Sequence, residues 1–300
     1  MNRRDFLAVT GVSAGLDAAP AQAARRGLTR ERYHGVFAYP ATPFAEDLSL
    51  DEAALRSNIR KLVRVGVSGI VMGGSTGEFY TLSEQDYQRL GEIMHEETRG
   101  TGVASVLGAA GLNPGEIIRR AHLAMEIGLD AVLAMQPFYY TLTRRELAGF
   151  WNQLCTECPD IGVIIYHFDW IRQEYTAETF KALAHLPNLI GSKEAHFDFK
   201  MWRALQKESP LVHMSATDAG WLVEMHRLGA PGVGSVSLSL MPHIIYRVLA
   251  LCNQGKYAEA DRAFAPFTEA VGRLRSGAGR PYLFPAELAG WQEYSGTARG

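Results

Sequence analysis

Lysine is scarce in this chain, with six in 300 residues, and acid and base nearly cancel at a formal net charge of −2. That balance leaves no electrostatic footprint for nucleic acid or an anionic membrane surface. No apolar run approaches the length that spans a bilayer. Three cysteines are too few for a disulfide framework. Cys155-x-x-Cys158 offers only two metal ligands with no second pair, and its helical setting suits small residues packed on a helix face. The nine histidines form no H-x-x-x-H and no cluster with carboxylates, which argues against a metal-dependent enzyme. Low-complexity tracts and short-period repeats are missing too.

What is present begins with a distinct N-terminal segment. Asn2-Arg3-Arg4-Asp5-Phe6-Leu7 resembles a twin-arginine export signal, and Ala21-Gln22-Ala23 fits an A-x-A cleavage site. Residues 1–24 are therefore expected to direct the protein to the periplasm. The alternative is a disordered tail on a cytoplasmic protein.

From residue 33 the chain alternates short apolar runs with amphipathic segments. The runs are 35–39, 67–72, 103–108, 130–135, 161–166, 188–193, 211–215 and 232–237. They are mostly unalternating, which suits parallel strands buried on both faces. Between them stand helix signals. Ser49-x-x-Glu52 reads as a capping box ahead of the stripe Leu55, Ile59, Leu62, Val63. Asn113-Pro114-x-Glu116 combines cap, N1 proline and box, and Thr143-x-x-Glu146 opens a third helix. Gly66, Gly128 and Gly229 mark helix ends. Eight βα units predict a (β/α)8 TIM barrel over residues 33–239. A doubly wound open sheet is the competing fold, but no G-x-G-x-x-G follows an early strand. Residues 240–297 read as a C-terminal helical extension, with helices at Met241–Leu251, Tyr257–Leu274 and Pro285–Tyr294.

In such a barrel the chemistry gathers at the C-terminal ends of the strands. Lys193 closes the sixth run, Leu189-Ile190-Gly191-Ser192, while the other five lysines lie in polar, helix-like stretches. A lysine there either snorkels outward or sits partly desolvated, and in the second case its neutral amine attacks a ketone to form a Schiff base. Tyr166 ends the neighbouring fifth run, one strand away in the same layer. It is either core or a phenol that moves the protons of carbinolamine formation and C–C cleavage. After the second run, Gly73-Gly74-Ser75-Thr76-Gly77-Glu78 lets backbone N–H groups and two hydroxyls converge on a carboxylate, although a Gly-rich turn is often only a turn. The lysine of a phosphate-binding P-loop is missing.

Taken together these segments resemble the dihydrodipicolinate synthase / N-acetylneuraminate lyase family of Schiff-base-forming barrels. The residues that carry the resemblance are GGSTGE (73–78), PFYY (137–140), IIY (164–166), LPNLIGSKEA (186–195) and GAPGVGSV (229–236). It implies Lys193 as the imine-forming lysine for pyruvate or another 2-oxo acid, and Tyr166 as the proton-transfer phenol. Ser75 and Thr76 would hold the carboxylate and extend the relay, and Gly234 would offer backbone contact to the keto acid. Tyr139 matches a tyrosine that crosses a subunit interface in this family, which implies a homodimer or homotetramer. The resemblance implies no cofactor and no metal.

The chain also departs from the family pattern. Where synthases read Asn-x-Pro and then an arginine that grips the aldehyde's carboxylate, this chain reads His167-Phe168-Asp169-Trp170-Ile171-Arg172. The arginine position falls on Ile171. His167, Asp169 and His196 are candidates to face the distal half of the substrate, with Phe168 and Trp170 as walls; capping the barrel without touching ligand is their other role. The expected activity is that of a cofactor-free lyase making or breaking a C–C bond between a 2-oxo acid and an aldehyde-type partner. Dehydration of a 2-oxo-3-deoxy sugar acid through the same imine is the alternative. A keto-acid-binding barrel without catalysis is the alternative of another class.

Overall fold

The computed structural model describes residues 27–168, 173–195, 198–216, 221–236, 238 and 242–278. Eight parallel strands close into a barrel in sequence order: β1 (Gly35–Ala38), β2 (Gly69–Met72), β3 (Ala104–Ala109), β4 (Ala131–Ala134), β5 (Gly162–Phe168), β6 (Leu189–Ala195), β7 (Val212–Ser215) and β8 (Gly232–Ser235). Strand β1 pairs in parallel with both β2 and β8, which completes the ring. The helices are α1 (Glu52–Val65), α2 (Glu84–Thr98), α3 (Pro114–Ile127), α4 (Arg144–Glu157), α5 (Ala177–Leu183), α6 (Phe199–Glu208) and α7 (Leu222–Arg227), one after each of the first seven strands. Two more, α8 (Pro242–Asn253) and α9 (Tyr257–Ala278), follow β8 and pack on each other. The fold is thus a (β/α)8 barrel with C-terminal helices. The third helix expected, Pro285–Tyr294, and the export signal lie outside the described residues.

Two apolar layers explain why the strand sequences barely alternate. Phe37, Tyr39, Val71, Val106, Leu133, Ile164, Ile190 and Met214 fill the barrel lumen. A larger shell between strands and helices takes the opposite faces, including Val36, Ile70, Leu107, Val132, Val163, Ile165 and Leu189, with Trp151 and Phe180 from the helices. With water excluded from both faces, each strand is selected for apolar residues throughout.

The helix signals hold with two shifts. Asn113 accepts from the Glu116 N–H, Thr143 and Glu146 form a full capping box, and Gly66 and Gly128 take the left-handed cap conformation. The Glu116 carboxylate accepts from the Leu112 N–H rather than from that of Asn113, so the Asn113 box is incomplete. The Ser49-x-x-Glu52 box does not form. Leu50 bridges Phe44 in an extended conformation, so the helix starts later and Asp51 accepts from the Ala54 N–H instead. Cys155 and Cys158 are buried and free.

Strands β5 and β6 run two residues past the expected ends at Tyr166 and Lys193. Their ladder also slips by one, since Val163 pairs with Leu189 but Ile164 pairs with Gly191. Strand β6 thus carries an extra residue, a β-bulge that reverses which face its later side chains meet. Without it, the strand that points Ile190 into the lumen would point Ser192 and Glu194 there as well. With it, Lys193 faces the lumen beside Tyr166 and Met214, its register partners on β5 and β7. Gly191 makes the bulge feasible. A Cβ there would overlap the Val212 carbonyl group and lie 2.9 Å from the Val212 nitrogen.

Candidate active site

Lys193 is buried near the top of the lumen, and its Nζ lies 4.0 Å from the Tyr39 ring centroid and 4.1 Å from that of Tyr166. An ammonium is attracted to both ring faces, while the enclosing carbon surface withholds water. Tyr166 occupies the register position beside Lys193, so β-sheet geometry alone holds phenol and amine together. Burial pushes the Tyr166 phenol up to about 12, opposed by its hydrogen bond with Ser75. It therefore stays protonated at neutral pH, in the form able to donate a proton. Burial likewise raises Tyr39 and Tyr33, so three uncharged phenols line this end of the lumen.

The turn after β2 brings Ser75 to that phenol. Gly73 has φ +63°, and the Thr42 hydroxyl donates to the Gly77 carbonyl at 2.7 Å, pinning the turn to the segment after β1. The Glu78 and Phe79 N–H groups fold back onto the carbonyls of Ser75 and Gly74. Ser75 and Thr76 are left half-buried in this turn, and the Ser75 hydroxyl lies beside the Tyr166 phenol. On the opposite side Gly234 lies against Tyr39: an added Cβ would come within 2.7 Å of Tyr39 Cε2. The absence of a side chain there lets the strand backbone approach a ligand held over the ring.

Lys193, Tyr166 and Ser75 are thus gathered into one connected group, with Thr76 in the same turn and Gly234 joined to it through Tyr39. Other expectations come out differently. His167 does not face the lumen: the longer β5 keeps the alternation going past Tyr166, and its Nδ1 meets Glu194 Oε2 at 2.7 Å on the outer face. Its expected substrate contact is corrected accordingly. Tyr139 is not part of this chain's own lysine pocket. It is exposed, edge-on to Tyr140 at 4.8 Å between centroids. Asp169 and His196 lie outside the described residues, as do Trp170, Ile171 and Arg172.

The sequence reading missed Tyr39. It stands just after β1 and looks like one more core aromatic. Phe168 was expected as a wall, but its partners were missed: at the mouth Ala110 and Met135 pack with half-buried Phe79, Phe138 and Phe168. The Phe168 ring centroid lies 4.5 Å from that of Tyr166, so the wall adjoins the phenol beside Lys193.

Comparison with known proteins agrees with the barrel fold. The model of the dihydrodipicolinate synthetase family matches residues 32–269. A 4-hydroxy-tetrahydrodipicolinate synthase of Methanospirillum hungatei is 31% identical over 76% of this chain and 79% of its own length. An N-acetylneuraminate lyase of Actinobacillus pleuropneumoniae is 27% identical over 75% of this chain and 77% of its own. Among solved structures, dihydrodipicolinate synthase from Aquifex aeolicus superposes with a TM-score of 0.78 at 25% identity, covering 87% of this chain and 88% of that one. The sialic acid aldolase of Ruminococcus gnavus reaches 0.81 at 19% identity, over 89% and 90% of the two chains, a likeness of fold.

Proposed function

This chain belongs to the dihydrodipicolinate synthetase family and is a lyase of the class I aldolase type, and from that premise we propose that Lys193 forms the imine with pyruvate or a close 2-oxo acid. The observation that carries the reading is the placement of its Nζ between Tyr39 and Tyr166, with Ser75 hydrogen-bonded to the Tyr166 phenol. The neutral amine attacks the C2 carbonyl, and the carbonyl oxygen takes up a proton from Tyr166 as the carbinolamine forms. Loss of water gives the iminium. Removal of a C3 proton then gives an enamine that adds to an aldehyde, and hydrolysis releases the product and the lysine. The cleavage direction reverses these steps. Ser75 and Thr76 receive the carboxylate, and Ser75 relays the proton that Tyr166 gives and recovers.

For the acceptor, we propose a poor fit to aspartate semialdehyde, because Ile171 stands where the family's carboxylate-gripping arginine would be and cannot make a bidentate pair. The wall of Phe79, Phe138, Phe168 and Met135 beside Tyr166 favours an aldehyde with an apolar or aromatic body. Tyr80, Leu112, Tyr139 and Tyr140, all exposed and carried by the loops after β2, β3 and β4, form a surface for a second copy, so the proposed assembly is at least a dimer. We also propose periplasmic export through residues 1–24, supported by the arginine pair and the A-x-A site. A mature N-terminus at Ala24 in the periplasmic fraction is the expected result, and an intact Met1 in the cytoplasm would refute it.

The central test is borohydride reduction in the presence of a panel of 2-oxo acids, followed by intact-mass measurement and mapping of the modified residue. A reduced pyruvate adduct on Lys193 is expected. An adduct elsewhere, or none with any 2-oxo acid, would refute the assignment.

A further inference from the structure

Directly behind Lys193, on the outer face of the barrel, four buried polar side chains join three strands. Ser192 and Glu194 flank Lys193 on β6, His167 comes from β5 and His213 from β7. All are 6% exposed or less, in a layer whose other side chains are mostly apolar. The Ser192 hydroxyl donates to Glu194 Oε1, and His167 Nδ1 meets Glu194 Oε2 at 2.7 Å. Ser192 Oγ also meets His213 Nδ1 at 2.7 Å, and that nitrogen is 3.7 Å from Glu194 Oε1.

Hydrogen-bond arithmetic orients the chain of contacts. A hydroxyl has one proton, and Ser192 spends it on the carboxylate, so His213 Nδ1 must be the donor to Ser192 Oγ. His213 Nε2 is buried with no hydrogen-bond partner among the described residues, and the Phe180 ring lies edge-on to it at 4.6 Å between centroids. The network therefore runs in one direction, from the His213 Nδ1–H through Ser192 to Glu194.

We infer that Glu194 is a positioning residue for Lys193: with Ser192, His167 and His213 it locks the register of the bulged strand so that the amine faces Tyr166. The inference rests on the proposed role of Lys193. A one-residue slip of β6 would erase the bulge, turn Lys193 outward and bring Ser192 and Glu194 into the lumen. The same slip would take Glu194 away from His167 Nδ1 and Ser192 away from His213 Nδ1, and losing buried hydrogen bonds is costly. The clamp therefore penalises the one rearrangement that would silence the lysine. Stability alone does not call for it, since buried ionic groups are often replaced by apolar residues without loss. Supporting contacts of this kind hold a reacting group within the small tolerance that its chemistry demands.

The clamp is anchored in turn. The His167 ring lies 5.0 Å from that of Tyr175, whose hydroxyl accepts from Trp151 Nε1 and donates to Gln136 Oε1, both at 2.9 Å. Helix α4 and the end of β4 thereby hold the β5 side of the lock.

The test compares Glu194→Leu, Glu194→Gln and Ser192→Ala with the wild type in single-turnover trapping of the pyruvate adduct, in steady-state kinetics and in thermal melting. Glu194→Leu is expected to trap the adduct and turn over roughly 10²-fold more slowly, as for a reacting group displaced by about an ångström. Its KM for pyruvate should stay close to the wild-type value. Glu194→Gln is expected to rescue most of the trapping rate, because its carbonyl still accepts from Ser192 and its amide can donate to the other tautomer of His167. Should Glu194→Leu fail to fold, Ser192→Ala carries the decision with an expected loss of about tenfold in trapping rate, the size of one supporting hydrogen bond. A folded Glu194→Leu, or failing that a Ser192→Ala, that traps pyruvate at the wild-type rate overturns the inference. So does a Glu194→Gln as slow as the leucine variant, since charge rather than positioning would then be at work. A wild-type enzyme that forms no adduct instead refutes the proposed role of Lys193.

Discussion

Gly191→Ala tests the aim of the lysine with a single methyl group. The new Cβ would overlap the Val212 carbonyl group on β7, a backbone atom pair that cannot rotate away. Strand β6 must therefore move, by on the order of 1 Å, or give up its bulge. Overpacking of this kind costs about 1–3 kcal/mol, and at roughly 2–4 °C per kcal/mol in a large domain the melting temperature should fall by about 5 °C. Lys193 is two residues downstream on the same strand, and a displacement of about 1 Å at a reacting group costs ~10²-fold in rate. That factor equals about 2.7 kcal/mol of barrier. The assay pairs differential scanning fluorimetry with rapid-quench borohydride trapping of pyruvate. Gly149→Ala is the matched control, because it lies in α4 with no atom within 4 Å of the added Cβ. There the same chemical change should stabilise by ~0.5–1 kcal/mol and leave trapping untouched. If Gly191→Ala trapped pyruvate at the wild-type rate, the bulge could not be what directs the amine.

Lys193→Ala and Lys193→Arg should both abolish the trapped adduct while the barrel stays folded, since a guanidinium remains protonated and cannot attack a carbonyl; mass spectrometry decides, and a persisting adduct would move the nucleophile elsewhere. Tyr166→Phe should slow turnover by roughly 10²–10⁴-fold with keto-acid binding little changed, and Ser75→Ala should cost less because backbone donors remain; unaltered turnover in Tyr166→Phe would make the phenol structural. Burial pushes the Cys155 thiol up to about 12 and the Cys158 thiol up to about 11. Both folded-state values lie above the ordinary 9.0, so stability should fall as pH rises from about 9 through about 12, and native protein near pH 8 should not react with a thiol reagent. Rapid modification of both cysteines before unfolding would contradict the burial.

Much of the barrel is legible in the sequence because the physics that selects its strands is local. A short run such as Ala131–Ala134, apolar at every position, suits a strand buried on both faces, and Asn113-Pro114 or Thr143-x-x-Glu146 states where the next helix begins. The placement of Lys193 beside Tyr166 was readable for a related reason, since a polar group ending an apolar run has few places to go. The direction of His167 was not. It depends on whether β5 stops at Tyr166 or continues, and that is decided by pairing with β6, a contact 27 residues away. The bulge left one trace, a glycine inside a strand, which also reads as a tight turn or a close backbone approach. Tyr39 left none, because an aromatic beside a barrel strand is ordinary core until its neighbours across the lumen are known.

The departures from ordinary strand grammar are concentrated in one stretch. Within residues 190–194 the chain places an extra residue, a glycine pressed against a neighbouring backbone, a buried lysine and a buried glutamate with its serine partner. Strand β4, in the same sheet, has no such feature and is apolar throughout. A sequence selected only for stability would make β6 resemble β4, because each of these features costs free energy that an apolar residue would not. The features are also interdependent. Gly191 permits the bulge, the bulge turns Lys193 inward and Glu194 outward, and the outward glutamate finds histidines waiting on both flanking strands. Removing any one leaves the others unfavourable: a lysine in the shell without a partner, or a glutamate in the lumen among Tyr39, Ile164 and Met214. Such mutual dependence is what a site acquires when the direction of one amine has to be held against the easier alternatives of an apolar barrel.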